Sequence, residues 1–431
     1  MPQHSNPTLS MPLTKRDKDA IWHPFTRLHG APDNVPIAKG KGVYLYTDEG
    51  KKILDAVSSW WVNVHGHSHE YIIEKVHEQM QNLEHVIFAG FTHEPAVRIA
   101  ERLLSASGNK FDKVFFSDNG STSTEVALKM AFQYHFNRED TARKRVIALD
   151  GAYHGDTFGA MAVGERNKFS KPFSDYLFKV DFIPFPKDES VLVELENQLR
   201  NRDVGAFIFE PIIQGAAGMR MYSPELLGKM IALCHRYGTL TIADEVMTGF
   251  GRTGTLFACD QLTENPNFMC LSKGITGGFF PMGVTMADAT VTEAFKYDNH
   301  EKTFFHGHSY TGNATICAAA NASLDLFERQ ETKDAIEMIA EEHTKFVARF
   351  EGNKKIKDAR SHGTVCALEV DAGNTSYFNA IRDKAYNYFL EQGILLRPLG
   401  NVICILPPFC ITREQLQEVY DAIEVFIEKE V

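Results

Sequence analysis

The chain has 431 residues, of which 44% are hydrophobic and 23% are charged, a balance that is usual for globular proteins. This length exceeds what one small hydrophobic core organises, so we expect two domains, one of them large. The net charge of −11 argues against a broad nucleic-acid-binding surface, although it permits a local pocket for an anion.

The start of the chain and its apolar segments predict where the protein works. The first 20 residues are expected to be flexible and lack the apolar stretch of a signal peptide. Because no uninterrupted apolar run of about 18 residues occurs, we expect no membrane span. The 7 cysteines include no CxxC pair and mostly lie in apolar runs, as buried thiols do in a reducing compartment. We therefore expect a cytoplasmic protein.

The first three quarters of the chain alternate between strand and helix patterns. Short strand-like pieces occupy residues 40–57, and an amphipathic helix is predicted over 71–84, followed later by one over 224–237. Short apolar runs, typical of strands buried on both faces, lie at residues 114–116, 146–149, 204–209, 240–243 and 268–271. This alternation predicts a doubly wound, mostly parallel α/β sheet.

The pattern changes after about residue 321. A long helical stretch over 322–350 is followed by strand-like segments and a final helix over 413–429. These features are typical of a smaller α+β domain. We predict three parts: an N-terminal segment 1–60 that packs with the small domain, a large α/β domain over 61–320, and the small domain over 321–431.

Polar residues end several predicted strands, at the sheet edge where open α/β folds bind ligands. A lysine enclosed there, such as Lys273, has a lowered pKa and can attack a carbonyl group. A buried carboxylate, such as Asp244, can keep a pyridine nitrogen protonated. Gly120 and Ser121 precede a predicted helix whose free N–H groups suit a phosphate, and Tyr153 can stack on an aromatic ring. Together these residues predict a site for pyridoxal 5'-phosphate (PLP).

Two other motifs permit different functions. The sequence at 249–254 matches G-x-G-x-x-G, but a strand directly before it and a helix directly after it are missing, which disfavours dinucleotide binding. His65, His67 and His69 alternate, and on a strand they could share one face and bind a metal. A metal-dependent hydrolase is therefore an alternative, although we expect loop histidines with hydrogen bonds and no bound metal.

The segments IADEVMTGFGRTG at 242–254 and LSKGITGG at 271–278 resemble the signature of the class III aminotransferases, of PLP fold type I. The resemblance extends from about residue 21 to the end of the chain. It implies that Lys273 binds PLP covalently and later moves a proton between substrate and cofactor, while Asp244 pairs with the ring nitrogen and Tyr153 stacks on the ring.

The resemblance also implies a homodimer with shared active sites. Gly120 and Ser121 would bind the cofactor phosphate, and His308 and Ser309 would join them from the neighbouring subunit. Gly307, next to this pair, would offer a backbone contact to the substrate.

Five further segments narrow the expected reaction within the family. They are IWHPF at 21–25, SSWW at 58–61, GAYHGDTFGAM at 151–161, EPIIQGAAGMRMY at 210–222 and LLRPLGN at 395–401. They imply S-adenosylmethionine as the amino donor and 8-amino-7-oxononanoate as the acceptor, giving 7,8-diaminononanoate in biotin biosynthesis. The alternative within the family is an enzyme that takes its amino group from lysine, a diamine or an ω-amino acid.

The resemblance finally implies which side chains surround the substrates. Trp60 would wall the pocket, Arg397 would grip the acceptor carboxylate with its planar fork, and Asp156 would suit a cationic sulfonium donor. The full set expected at the substrates is Trp60, Phe25, Tyr153, Asp156, Lys273, Gly307 and Arg397, with Arg252 and Glu210 behind them. The sequence departs from the family's frequent residues at Phe25, His308, Ser309, Leu399 and Cys404.

Overall fold

The computed structural model describes residues 11–375, 377 and 379–431. Residues 1–10, part of the segment expected to be flexible, lie outside this description. The described chain begins with helix α1 (Leu13–Ala20), followed by strands β1 (Ile37–Lys41), β2 (Tyr44–Thr47) and β3 (Lys52–Asp55). Because these strands pair antiparallel in sequence order, the strand-like pieces predicted over 40–57 are confirmed.

Helices and strands then alternate through the large α/β region. The elements are α2 (Ser58–Trp61), α3 (Glu70–Asn82), α4 (Glu94–Ala106), β4 (Lys113–Ser117), α5 (Gly120–Asn137), β5 (Arg145–Leu149), α6 (Phe158–Val163), β6 (Asp181–Ile183), α7 (Ser190–Leu199), β7 (Val204–Phe209), β8 (Ile213–Gln214), β9 (Arg220–Met221), α8 (Pro224–Arg236), β10 (Leu240–Asp244), β11 (Phe268–Leu271), β12 (Gly283–Ala287), α9 (Ala289–Glu293) and α10 (Ala314–Glu328). Short 3₁₀ helices cover Lys171–Tyr176, Ala258–Gln261, Lys273–Thr276 and His300–Lys302.

The central sheet has seven strands in the order β4-β12-β11-β10-β7-β5-β6. Six of them run parallel to one another, and β12 runs antiparallel between β4 and β11. Every residue of β7 and β10 is buried, as expected for strands covered by helices on both faces. The five predicted strands all exist, so the mostly parallel α/β sheet is confirmed. Their carboxyl ends meet at one edge of the sheet.

The C-terminal region forms a smaller α+β unit. Its elements are α11 (Gln330–Ala348), β13 (Ile356–His362), β14 (Val365–Val370), α12 (Ile381–Glu391), β15 (Ile394–Leu395), β16 (Val402–Ile405) and α13 (Arg413–Glu430). Strands β13, β14 and β16 form an antiparallel sheet, whereas β15 pairs in parallel with β3. This last pairing supports the expected packing of the N-terminal segment with the small domain, and the boundaries at 60 and 320 stay predictions.

The prediction of one long helix over 322–350 is wrong in one respect, because the structure has two helices that are separated at Arg329. This residue is extended, with φ −71° and ψ 142°. The helix before it, α10, is buried on most sides, whereas α11 buries one stripe formed by Ile336, Ile339, His343 and Phe346. The break separates two packing environments, and no glycine or proline marks it in the sequence. Among the described residues, no helix is both long and apolar enough to cross a membrane.

Candidate active site

Lys273 lies directly beyond β11, at the carboxyl edge of the sheet. Its backbone is left-handed, with φ 47°, an unusual conformation for a residue with a side chain. Burial lowers the pKa of the Lys273 amine to about 8, although the carboxylates of Asp244 and Glu210 oppose this shift. The Nζ atom lies 4.5 Å from the centroid of the Trp61 ring. The lysine therefore has the enclosure that favours a neutral, nucleophilic amine.

Asp244 ends β10 and is buried. Its Oδ1 accepts a hydrogen bond from the backbone N–H of Val246 at 3.0 Å, and its Oδ2 accepts one from Nδ1 of His154 at 2.7 Å. The other ring nitrogen of His154, Nε2, is buried and has no hydrogen-bond partner within the described chain. Hydrogen bonds therefore fix both oxygens of the carboxylate. A group that must contact a ligand in one orientation needs to be fixed in this way.

Glu210 follows β7 and is also buried. Its Oε1 accepts a hydrogen bond from the backbone N–H of Tyr153 at 3.2 Å, and its Oε2 accepts one from Gly215 at 2.8 Å. Burial raises the pKa of Glu210 to about 7, and the neighbouring Asp244 carboxylate adds to the rise. Glu210 therefore holds the backbone of Tyr153, a residue that is 40% exposed and whose phenol is influenced by the carboxylates of Asp156 and Asp244.

The start of α5 forms a small cradle. The Ser121 hydroxyl accepts a hydrogen bond from the backbone N–H of Asp156 at 3.1 Å. A Cβ atom on Gly155 would lie 1.9 Å from that hydroxyl, and one on Gly120 would lie 2.7 Å from a methyl group of Val246. Glycine is therefore required at both positions for these close approaches. A helix start with exposed N–H groups is suited to a phosphate.

Helix α5 begins with a capping box at Asn119, although Thr122 and Glu125 also have capping-box spacing in the sequence. The Asn119 side chain accepts a hydrogen bond from Thr122 N at 3.0 Å, and the Thr122 hydroxyl accepts one from Asn119 N at 3.1 Å. Glu125 instead accepts hydrogen bonds from the backbone of Gly159 and Ala160 at the start of α6. The capping box thus begins at Asn119, which leaves Gly120 and Ser121 as the first helical residues.

The residues at the sheet edge fit PLP. They provide an enclosed amine, an oriented buried carboxylate, a buried imidazole nitrogen without a partner and a helix start lined by glycine. The amine suits the cofactor aldehyde, the carboxylate suits the ring nitrogen, and the helix start suits the phosphate. The imidazole lies beside the carboxylate. The gathering of Lys273, Asp244, Ser121 and Tyr153 from four strand ends agrees with the sequence prediction.

The outer wall of the site is built from exposed aromatic and basic side chains. Trp60 is 39% exposed, and its ring centroid lies 5.6 Å from that of Phe25. The guanidinium carbon of Arg397 lies 4.4 Å from the centroid of the Trp60 ring. Within the described part of the chain, Arg397 forms no ion pair, so its planar fork is open to an incoming carboxylate.

Comparison with known proteins decides the family. The family model described as "Aminotransferase class-III" matches residues 28–427. A protein of Synechococcus elongatus named adenosylmethionine-8-amino-7-oxononanoate aminotransferase is 45% identical over 414 residues, which cover 94% of this chain and 97% of that protein. The chain belongs to the class III aminotransferases. It is a PLP-dependent enzyme of fold type I, so the predicted family, fold and cofactor are confirmed.

Solved structures agree with this family assignment. A crystal structure of adenosylmethionine-8-amino-7-oxononanoate aminotransferase from Methanocaldococcus jannaschii matches with a TM-score of 0.93 at 34% identity, covering 97% of this chain and 98% of that one. A PLP-bound amine transaminase from an uncultivated Pseudomonas species matches with a TM-score of 0.89 at 27% identity, covering 95% and 98%.

The structure does not bring the predicted residues of the 303–312 loop to the sheet edge of this aminotransferase chain. The Ser309 carbonyl accepts a hydrogen bond from His85, and the His308 backbone N–H donates to Thr311. No described contact joins Gly307, His308 or Ser309 to Lys273, Asp244 or Ser121. Within this chain the His308 Nε2 atom is buried without a described partner.

Two residues of the site were given no role from the sequence. His154 supports the Asp244 carboxylate, and Trp61 faces Lys273. Arg252, expected behind the site, is buried and donates hydrogen bonds to the carbonyls of Pro407 at 2.8 Å and Trp61 at 3.4 Å. Burial lowers the pKa of Arg252 to about 9. The only sequence signal for the support of Asp244 by His154 was a histidine directly after Tyr153.

The alternative motifs have structural roles in this aminotransferase. His65 contacts the Ser323 hydroxyl at 3.0 Å, His67 donates to Asp55 at 2.8 Å, and His69 lies beside the His65 ring. Among the described residues, no group of three or more His, Cys, Asp or Glu side chains could hold a metal ion. Family membership favours the aminotransferase over the metal-dependent hydrolase.

The glycine-rich segment 249–254 forms a series of turns, and the Gly249 N–H donates a hydrogen bond to the Glu245 carbonyl at 3.0 Å. The Glu245 carboxylate accepts hydrogen bonds from Thr248, Ala258 and Cys259. No helix follows the segment directly, so the dinucleotide fingerprint lacks its structural context.

Proposed function

We propose that the protein transfers the amino group of S-adenosylmethionine to 8-amino-7-oxononanoate, giving 7,8-diaminononanoate. The observation that carries this proposal is Arg397, whose guanidinium lies over Trp60, the neighbour of the Trp61 ring beside Lys273, and has no ion-pair partner among the described residues. A planar cation at this place suits a substrate with a remote carboxylate. Relatives named for this reaction match nearly the whole chain.

The chemistry of both half-reactions depends on the groups at the strand ends. When bound, PLP supplies an aldehyde that accepts the amino group and a ring that takes up the electron pair released at the substrate carbon. With the cofactor bound, the Lys273 amine would take the proton from that carbon and pass it to the cofactor, and in the second half-reaction it would move a proton in the opposite direction. A pKa of about 8 places a useful neutral fraction of this amine near neutral pH. Asp244, oriented by His154, keeps the ring nitrogen protonated, and Tyr153 stacks on the ring.

The cradle and its neighbour account for the cofactor phosphate and the donor. Gly120 and Ser121 present helix N–H groups and a hydroxyl to the phosphate. Asp156 follows the cradle, and its exposed carboxylate attracts the positive sulfonium group of the donor. Burial first and the Asp156 carboxylate second raise the pKa of Tyr153, so its phenol stays protonated and can donate a hydrogen bond.

We also propose a cytoplasmic homodimer in which the 303–312 loop completes the site of the second subunit. In the described chain this loop exposes 75% of Phe305 and 66% of Tyr310, and the His308 imidazole keeps an unpartnered nitrogen. Large exposed aromatic side chains beside an unsatisfied polar group are typical of an interface. Light scattering of the purified protein tests the proposal, and a monomer with full activity contradicts it.

A donor screen tests the reaction itself. Purified enzyme is assayed with 8-amino-7-oxononanoate as acceptor and, in turn, S-adenosylmethionine, lysine, a diamine and an ω-amino acid as donors. Turnover with S-adenosylmethionine supports the proposal. Turnover only with another donor indicates the alternative reaction of the family, and no turnover of this acceptor with any donor rejects the assignment.

A further inference from the structure

We propose that Asp55 and His67 are positioning residues that hold α2 (Ser58–Trp61), the tryptophan turn, so that its two indole rings face the substrates and Lys273. The inference rests on the proposed function for its substrate, but the geometry of the turn is independent of it. Neither residue takes part in the chemistry proposed above.

The tryptophan turn has an unfavourable backbone. Ser58, Ser59 and Trp61 have φ values of 49°, 60° and 67°, in the left-handed region that residues with side chains avoid. Ser59 combines its φ with a ψ of −78°, which lies outside the small left-handed helical region as well. Such a conformation persists only where the surrounding structure holds it, and it is concentrated at functional sites.

The Asp55 carboxylate supplies that hold from beneath the turn. Asp55 is 0% exposed, and its Oδ2 accepts hydrogen bonds from the Ser59 backbone N–H at 2.6 Å and the Ser59 hydroxyl at 2.9 Å. Its Oδ1 accepts one from Val57 N at 3.2 Å. Because hydrogen bonds to a carboxylate are stronger than neutral ones, this side chain fixes the most strained residue of the turn.

His67 completes the set by orienting the carboxylate. Its Nε2–H donates to Asp55 Oδ2 at 2.8 Å. The backbone of His67 is fixed by two hydrogen bonds with Gly42, at 2.7 and 3.0 Å. A Cβ atom on Gly40 would lie only 2.8 Å from the Cβ of His67, so glycine in β1 leaves room for this ring. The fold thus reserves a place for the imidazole against Asp55.

The two tryptophans of the turn contact different parts of the site. Trp61 lies 4.5 Å from Lys273 Nζ, and Trp60 lies 4.4 Å from the Arg397 guanidinium. The Ser58 hydroxyl donates a hydrogen bond to the Leu406 carbonyl at 2.8 Å, which fixes the start of the turn. Asp55 fixes the next residue, Ser59. A shift of Ser59 would move the wall of the pocket for the acceptor and the ring beside the catalytic amine together.

Fluorescence of the holoenzyme tests the position of the turn without any substrate. The chain has 3 tryptophans, so in a Trp22→Phe background the emission comes from Trp60 and Trp61 alone. We expect acrylamide quenching to rise at least about twofold in His67→Phe and Asp55→Asn, because a released loop becomes accessible. His67→Gln, which keeps an N–H donor, should stay close to the parent. His77→Gln, at an exposed position of α3, is the matched control.

Kinetics separate positioning from general stability. The KM for 8-amino-7-oxononanoate should rise about tenfold in His67→Phe, the effect of losing one hydrogen bond to a charged group, with kcat changed less. If Asp55→Asn does not fold, Ser59→Ala replaces it, since it removes only the hydroxyl bond. The proposal is overturned if quenching and KM are unchanged in folded His67→Phe and also in folded Asp55→Asn, or in Ser59→Ala where that variant replaces it. The proposal is also overturned if His67→Gln shows the same rise in quenching and KM as His67→Phe and both variants have an equally lowered melting temperature.

The two proposals fail in different ways. If the parent enzyme does not use 8-amino-7-oxononanoate, the proposed function fails, yet the quenching comparison still tests the turn. If the parent turns this acceptor over and the variants leave quenching unchanged, the inference about Asp55 and His67 fails alone.

Discussion

The floor and the rim of the active site are held by different forces. On the floor, Asp244 ends one buried parallel strand and Glu210 follows another, and each carboxylate accepts two hydrogen bonds of 2.7–3.2 Å. On the rim, Phe25, Trp60 and Arg397 are exposed, and the Trp60 ring contacts both the Phe25 ring and the Arg397 guanidinium. The floor is therefore rigid and buried, whereas the rim depends on loops that can change without disturbing the sheet.

This difference separates reaction type from substrate choice. Burial on the floor lowers the pKa of Lys273 and raises that of Glu210, so both groups are shifted towards their neutral forms. Such shifts serve proton transfer at any substrate carbon. The rim offers a cation and aromatic surfaces that suit one shape and charge. Substitutions on the floor should therefore affect turnover, and those on the rim should affect affinity.

Lys273→Ala should have the largest effect, a loss in turnover on the order of 1,000-fold, because no other group can move the substrate proton. The visible absorbance of the covalently bound cofactor should disappear as well. Turnover is measured with S-adenosylmethionine and 8-amino-7-oxononanoate, and Lys41→Ala, at an exposed position, is the control. A variant that kept both turnover and absorbance would remove Lys273 from its proposed role.

Asp244→Asn should lower kcat by about 100-fold, since an amide cannot hold the ring nitrogen protonated and one charge-assisted hydrogen bond is worth about 1.5–3 kcal/mol. The KM for the acceptor should change little, because the rim remains intact. Thermal unfolding of the variant shows whether the buried pair with His154 also stabilises the fold. A raised acceptor KM at unchanged kcat would contradict the division between floor and rim.

The floor was predictable from the sequence because strand ends can be read from local patterns. Continuous apolar runs located five strands, and the polar residues directly after them included Asp244 and Lys273. Antiparallel β12 was missed, since GVTMA follows glycines and a proline and no α-helix separates it from β11. The role of His154 requires knowing that β5 and β10 end at the same edge, which is a property of the sheet order.

The rim could be predicted only through the family resemblance. Arg397 lies beyond a two-residue strand in the small domain, far along the chain from Trp60 and Phe25. Nothing in local periodicity places these three side chains together. The division of the long helix at Arg329 was missed for a related reason, because the break depends on which domain each half packs against. Long-range packing, in contrast to strand ends, leaves little trace in one sequence.

Arg397→Lys tests whether a substitution on the rim changes substrate affinity and leaves turnover unchanged. Lysine keeps the charge but loses the fork that binds a carboxylate through two parallel hydrogen bonds, so the acceptor KM should rise about tenfold. Both kcat and the KM for S-adenosylmethionine should stay close to the parent values. The measurement is a full kinetic matrix of donor and acceptor. A fall in kcat without a change in acceptor KM would place Arg397 with the floor.

The smallest expected effect is a pH dependence, which tests how well the floor excludes water from the Lys273 amine. In the apoenzyme, the rate of covalent PLP binding depends on the neutral Lys273 amine, so it should rise with pH and level off above a midpoint of about 8. The sign follows from burial, which disfavours the ammonium form and extends the neutral form to lower pH. Stopped-flow absorbance at several pH values measures the midpoint, with Lys273→Arg as the control that cannot react. A midpoint near the ordinary lysine value of 10.5 would mean that water reaches the amine and that the floor is as open as the rim.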